Sequence, residues 1–286
     1  MLFALKVKSA IAIAALAGPL AATTIAPSPS APADDVAVIA PARFDYRLAG
    51  DFSRAGKPVA APLQSQRLSG PLHIMKNQVT AGEYERCADD GACARLHVPE
   101  GRKDVPMVGV SWHDASSYAA WMTRKTGRMH RLPTDQEWAF AASEKVSRDI
   151  EVPVDPIDPA QAWIARYEAE SARVKPGAVA PQPAGTFGVN SHGLKDLAGN
   201  VWEWTDTCFV RASIDSDAPR ITNTNCGVRV VEGAHRTYMT DFIRDPRTGG
   251  CAAGVPPANL GFRLVIEPQR SPMYEMVSRA AKALRG

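Results

Sequence analysis

The sequence has no Cys-x-x-Cys pair, and none of its five cysteines stands at zinc spacing from a histidine, so zinc–thiolate chemistry has no support. A P-loop, a dinucleotide fingerprint, a nucleophile elbow and an HExxH helix are equally missing. Nothing therefore points to a nucleotide site, a serine nucleophile or a zinc protease. No segment repeats at a fixed period, which excludes a solenoid or propeller. A charge surplus is lacking too. The formal net charge is +3, falling to about +1 without Lys6 and Lys8, and no partnership with nucleic acid or an anionic membrane is expected.

Acidic residues are absent from Met1 to Ala33. There, two lysines precede an apolar run from Ala10 to Ala17 and then small residues, which reads as a secretory signal cleaved between Ala21 and Ala26. The run is shorter than the roughly 20 residues of a membrane span and is broken by Gly18 and Pro19, so no stable membrane anchor is expected after cleavage. The mature chain is expected to be periplasmic or secreted. All five cysteines lie in that part, where disulfides persist. Cys87 and Cys93 bracket a short loop that closes on itself if its turn brings them together. Of Cys208, Cys226 and Cys251, the first two flank one irregular insertion and are the favoured pair, although the sequence leaves the connectivity open.

The chain divides into a signal peptide (1–26), a flexible leader with an extended edge segment (27–70), a main domain (71–266) and a helical tail (267–286). Within the domain, Leu72 to Thr80 alternates as a strand does, and Thr80 with Glu83 forms a capping box whose helix turns Tyr84 and Cys87 inward. Ser111 with Asp114 opens a second helix, with Ala115, Tyr118, Ala119 and Met122 on one stripe and Gly127 at its end. Thr134 to Glu137 caps a third, with Trp138, Ala141 and Ala142 facing the core. Trp112 and Trp121 are expected in the core as well. A further helix is expected over Ala160 to Ala172, a polar insertion over Phe209 to Asn225, a strand over Val228 to Glu232, irregular chain over His235 to Pro257, and a last core strand over Leu260 to Ile266.

One stretch organises the rest: NSHGLKDLAGNVWEWTD, from Asn190 to Asp206. A turn at Ala198-Gly199-Asn200 leads into Val201 to Thr205, where Trp202 and Trp204 share one face and Glu203 takes the other. A carboxylate so placed needs a partner. Turn amides supply one answer, a hard cation shared with Asp196 and turn carbonyls another.

GLKDLAGNVWEWTD resembles the signature of the sulfatase-modifying-factor superfamily, which includes the formylglycine-generating enzymes. VPMVGVSWHDASSYAAWMTRKTG, HRLPTDQEWAFAAS and NLGFRLV follow the same family's order, and with HIMKNQVTAGEY the resemblance spans Pro71 to Val265. It implies an α+β, C-type-lectin-like formylglycine-generating-enzyme fold with few regular elements and long loops. It also implies a structural Ca²⁺ ion held by Asp196, Gly199, Val201 and Glu203.

The family's enzymes oxidise a substrate cysteine with two cysteines of their own, which bind copper shortly after a Gly-Gly-Ser turn. The matching turn here is Glu232-Gly233-Ala234, which puts Thr237 and Phe242 in the two cysteine places. Neither supplies a thiolate, and Cys251 lies too far along. Other branches of the superfamily oxidise exported peptides. The chain therefore reads as an exported relative that matures or oxidises a periplasmic protein or peptide by another route, its redox metal unspecified. The alternative is a non-catalytic binding or assembly module.

A reactive site would lie in the loop from His235 to Arg244. His235 and Asp241 would move protons, Tyr238 would stack on or hydrogen-bond the substrate, and Arg236 with Arg244 would hold a carboxylate. An enzyme requires these side chains to converge on one pocket. The bland alternatives are an Arg244–Asp245 ion pair, a surface His235, and Arg263 as the buried partner of a carboxylate.

Overall fold

The computed structural model describes residues 35–98, 101–146, 180–197, 199–215, 218–248 and 259–268, with scattered positions between 161 and 172. The expected signal peptide, most of the Ala160–Ala172 helix, Cys251 and nearly all of the helical tail lie outside the described residues. None of the described helices is long and apolar enough to cross a membrane.

Residues 36–67 form five strands: β1 (Val36–Ile39), β2 (Arg43–Arg47), β3 (Asp51–Arg54), β4 (Lys57–Val59) and β5 (Leu63–Arg67). Then come β6 (Leu72–Met75), α1 (Ala81–Asp89), α2 (Trp112–Thr126), β7 (His130–Arg131) and α3 (Asp135–Ala142). After these come β8 (Trp202–Ser213), β9 (Arg220–Glu232), β10 (Thr237–Thr240), β11 (Leu260–Gly261) and β12 (Val265–Ile266). Three sheets result: β1-β6-β12-β7, the hairpin β2-β5, and β10-β9-β8-β3-β4 with β11 alongside β8.

Helices α1, α2 and α3 start where the sequence places them, because each begins with a reciprocal capping box: Thr80 with Glu83, Ser111 with Asp114, and Thr134 with Glu137. Gly127 stops α2 in the left-handed conformation (φ 68°) that only glycine adopts at little cost. One apolar cluster gathers Tyr84, Cys87, Tyr118, Trp121, Trp202, Trp204, Val231, Met239 and Phe262. A second gathers Ile74, Trp138, Phe140, Leu194, Leu197 and Val265. Trp202 and Trp204 share the first cluster as their alternation requires, and Trp204 Nε1 donates to Val110 O at 2.8 Å. Burial of each such aromatic body stabilises by roughly 2–3 kcal/mol.

Three expectations need correction. Phe209 to Asn225 is not an insertion but most of a long hairpin: β8 runs to Ser213 and β9 begins at Arg220. Its Thr and Asn side chains are exposed on both faces, so no apolar alternation marks the strand. Likewise Thr237–Thr240 is the strand β10, not irregular chain. Leu260 to Ile266 is two short strands, β11 in one sheet and β12 in another, with the chain stepping between them. Both disulfides read as favourable, Cys87–Cys93 and Cys208–Cys226, are present.

Candidate functional site

Glu203 is a fully buried carboxylate, with 0% exposure. Its Oε2 accepts from Trp138 Nε1 at 2.8 Å and Arg263 Nε at 2.6 Å. Oε1 accepts from Gln78 Nε2 at 2.8 Å and Arg263 Nη2 at 2.6 Å. Arg263, also fully buried, spends its other donors on the carbonyls of Met75, Lys76 and Lys195. Among the described residues the charged partner of Glu203 is thus Arg263, not turn amides. Arg263 is the buried partner of a carboxylate.

Asp196 is engaged elsewhere. Its Oδ2 accepts from the Gly185 amide and its Oδ1 from the Phe187 amide, both at 2.7 Å. Gly199 O accepts from Val201 N at 2.9 Å. Asp196, Gly199, Val201 and Glu203 therefore do not fit a calcium ion: N–H donors face both carboxylates, and two of those on Glu203 come from a guanidinium. Among the described residues no group of three or more His, Cys, Asp or Glu side chains is placed to hold a metal. Added Ca²⁺ should leave the melting temperature unchanged from that in chelator. A rise with Ca²⁺ that Asp196→Asn abolishes would restore the ion.

The loop after β9 turns at Gly233, where a Cβ would stand 2.9 Å from the Trp202 ring, so glycine is what lets the backbone cross the indole. His235 follows, 2% exposed and edge-on to Trp202 at 4.3 Å. Its Nδ1 lies 3.1 Å from Arg236 O, and its Nε2 is buried without a hydrogen-bond partner, as is Thr237 Oγ1. His235 is therefore no surface residue.

The pairing of Thr237 with Val231 and of Tyr238 with Val230 fixes which way each side chain turns. Thr237 and Met239 fall on the side of Trp204. Tyr238 falls on the other, where its OH accepts from the Gly50 amide at 2.7 Å and its ring meets Phe209 edge-on. Arg236 reaches inward to Glu232 Oε1 (2.7 Å), Asp135 Oδ2 (3.0 Å) and the carbonyl of Arg47 (3.0 Å). Asp241 Oδ2 lies 3.2 Å from His113 Nε2. Arg244 grips Asp114 with two bonds of 2.7 and 2.8 Å, while Asp245 pairs with Arg247, so the expected Arg244–Asp245 pair does not form. Burial alone would raise Asp114, yet bonds from Arg244 and Ser111 hold it below the ordinary carboxylate range.

Of the five loop residues only Tyr238 lies in β10, and Arg236, Tyr238, Asp241 and Arg244 contact separate partners. They do not converge on one pocket. Phe242, in the second cysteine place, is 67% exposed, whereas Thr237, in the first, is 1% exposed. Four of the five cysteines are tied in disulfides, leaving Cys251 as the one remaining.

Sequence reasoning missed a buried quartet on the α3 side of the sheet. Asp135 (0% exposed) accepts from Tyr46 OH and Arg236, and Arg236 bridges to Glu232 (2% exposed). Burial first, and the neighbouring Asp135 carboxylate second, push Glu232 well above the ordinary carboxylate range. Asp135 reads in sequence only as a helix-start residue, and Tyr46 lies in the segment taken as leader. No local pattern joins them.

A family model described as the sulfatase-modifying factor enzyme 1-like domain matches residues 21–268. The formylglycine-generating enzyme of Streptomyces coelicolor is 29% identical over 173 residues, covering 57% of this chain and 53% of that protein. The inactive C-alpha-formylglycine-generating enzyme 2 of Bos taurus is 31% identical over 174 residues, 59% and 52% of the two. The chain spans about half the length of these curated relatives. Among solved structures, PvdO from Pseudomonas aeruginosa superposes with a TM-score of 0.51 at 20% identity, over 82% of this chain and 94% of that one, a likeness of fold.

Proposed function

The chain belongs to the sulfatase-modifying factor enzyme 1-like family, and from that premise we propose that it binds an exported protein or peptide during maturation without the family's copper–thiolate oxidation. The observation that carries this reading is the pair of replaced cysteine places, Thr237 buried and Phe242 exposed, in a chain with one cysteine outside its disulfides. Two thiolates are both the copper ligands and the redox group of that route. Four of the five loop side chains, Arg236, Tyr238, Asp241 and Arg244, are engaged by residues outside the loop, which supports a binding surface over a reactive centre. One relative of comparable similarity carries the word inactive in its name. The two disulfides suit an oxidising compartment, in agreement with export.

A second reading is oxidation of an exported peptide through a metal that needs no thiol pair. Its support is the buried, unpartnered His235 Nε2 and Thr237 Oγ1 beside Trp202. Metal analysis of the purified protein, with oxygen uptake on a cysteine peptide and on its serine analogue, separates the two. Binding of both peptides, weakened by Phe242→Asp, with neither copper nor iron retained and oxygen uptake at background, is the expected result. Uptake that follows copper or iron loading and consumes the peptide would overturn it.

A further inference from the structure

Arg229 belongs to none of the sites above, yet it stands against a sulfur atom. Its Cζ lies 4.0 Å from the Trp112 ring centroid, and the side chain is 12% exposed. The face of the indole thus holds a cation in place. From there Nη1 donates to Asp206 O at 2.8 Å, to Asp206 Oδ1 at 3.2 Å and to Cys208 Sγ at 3.4 Å. Its Nε is buried without a partner. Cys208 is half-buried, whereas Cys226 and every other residue from Arg220 to Gly227 are exposed.

The other disulfide is built differently. Cys87 is 0% exposed in the apolar cluster, and the neighbouring Arg86 turns its guanidinium to Gly82 O.

We propose that the Cys208–Cys226 disulfide is a thiol-exchange site, at which a thiol-bearing exported polypeptide is captured as a mixed disulfide on Cys226. The client thiol first loses its proton to solvent. Its thiolate then forms a bond to Cys226 Sγ, and the bond between the two cysteine sulfurs breaks. The electron pair of that bond stays on Cys208 Sγ, beside the guanidinium of Arg229. One disulfide replaces another, so no oxidant is consumed, and attack by the Cys208 thiolate reverses the capture.

Two independent features select the same sulfur. Exposure admits the client at Cys226, and exchange is faster when the departing thiolate is the better-stabilised one, which the cation makes Cys208. Asp206 shares the guanidinium. Burial foremost holds Asp206 above its ordinary range while Arg229 pulls it down. From Ile221 to Gly227 the strand bears no charged side chain, so it does not select a client by charge.

The test uses the full oxidised chain with Cys251→Ser, treated with glutathione in one arm and with an unstructured cysteine peptide in the other. Adducts are trapped by acid and mapped by mass spectrometry. The expected adduct is on Cys226, formed about tenfold faster than any at Cys87–Cys93. Arg229→Gln should slow it by about tenfold and Arg229→Lys should restore most of the rate. In the reduced protein, Cys208 alkylation should reach half its maximum at lower pH than in Arg229→Gln. Capture of the peptide but not glutathione would mark a polypeptide site, and both reacting would mark a general thiol site. An adduct on Cys208, equal reactivity of the two disulfides, or no effect of Arg229→Gln would overturn the proposal. Should Arg229→Gln fail to fold, the position of the adduct in the arginine-bearing chain still decides. Binding of the serine peptide is untouched by any of these results, so this failure is distinct from failure of the binding reading.

Discussion

Arg263→Ala should leave the domain unable to hold its native state through an ordinary urea titration. Arg263 and Glu203 are both fully buried and joined by two bonds of 2.6 Å. Removing one member of such a pair leaves an uncompensated charge in the interior, at a cost of about 3–5 kcal/mol. A domain of this kind has only about 5–15 kcal/mol of net stability. Three further carbonyls, on Met75, Lys76 and Lys195, lose their donor in the same step. Glu203→Gln should be damaging for the same reason, since it strands the guanidinium. The double variant Glu203→Gln/Arg263→Met removes both charges and should be less destabilised than the two single losses added together. Denaturation midpoints of the three variants measure this, and a loss below about 1 kcal/mol for Arg263→Ala would mean the pair acts like an exposed one.

The second large effect is expected at the quartet beneath α3, and it depends on pH. Because Glu232 is held well above the ordinary carboxylate range by burial and by Asp135, the native state keeps a proton that the unfolded chain has released. Stability attached to this group is therefore complete below about pH 4, where both states are protonated. It falls as pH rises above the unfolded value of about 4.3, until native Glu232 ionises. Glu232→Gln carries no proton to lose and should melt higher than the unsubstituted protein at pH 8, the advantage shrinking towards pH 4. Arg236→Ala removes the cation bonded to both carboxylates and should cost about 3–5 kcal/mol at neutral pH. Melting temperatures across pH 4–9 decide this, and a pH-independent difference for Glu232→Gln would refute the proton held on native Glu232.

Much of the scaffold was legible because it is written locally. A capping box needs only two residues three positions apart, so all three helix starts read correctly. The two tryptophans of β8 needed only the period of two. Legibility ended where the determinant was distant or unmarked. Glu203 announced that it needed a partner and Arg263 that it needed a carboxylate, yet 60 positions separate them and no pattern joined the two statements. The hairpin around Cys208 and Cys226 was misread because a strand exposed on both faces has no reason to alternate. The loop from His235 to Arg244 was read as one site because its polar residues crowd together in sequence. Only Tyr238 lies in β10; before the strand Arg236 turns to Glu232 and Asp135, and after it Asp241 and Arg244 turn to His113 and Asp114 on α2.

The order in which the chain becomes available has a consequence written into residues 260–266. Leu260 completes the edge of one sheet, Val265 closes the gap between β6 and β7 in another, and Arg263 between them neutralises the interior charge on Glu203. A nascent polypeptide arriving amino end first therefore carries an unmatched carboxylate and two unfinished sheets until residues 260–266 emerge. Any shortening from the carboxyl end that crosses Ile266 should abolish the whole architecture at once, not trim it.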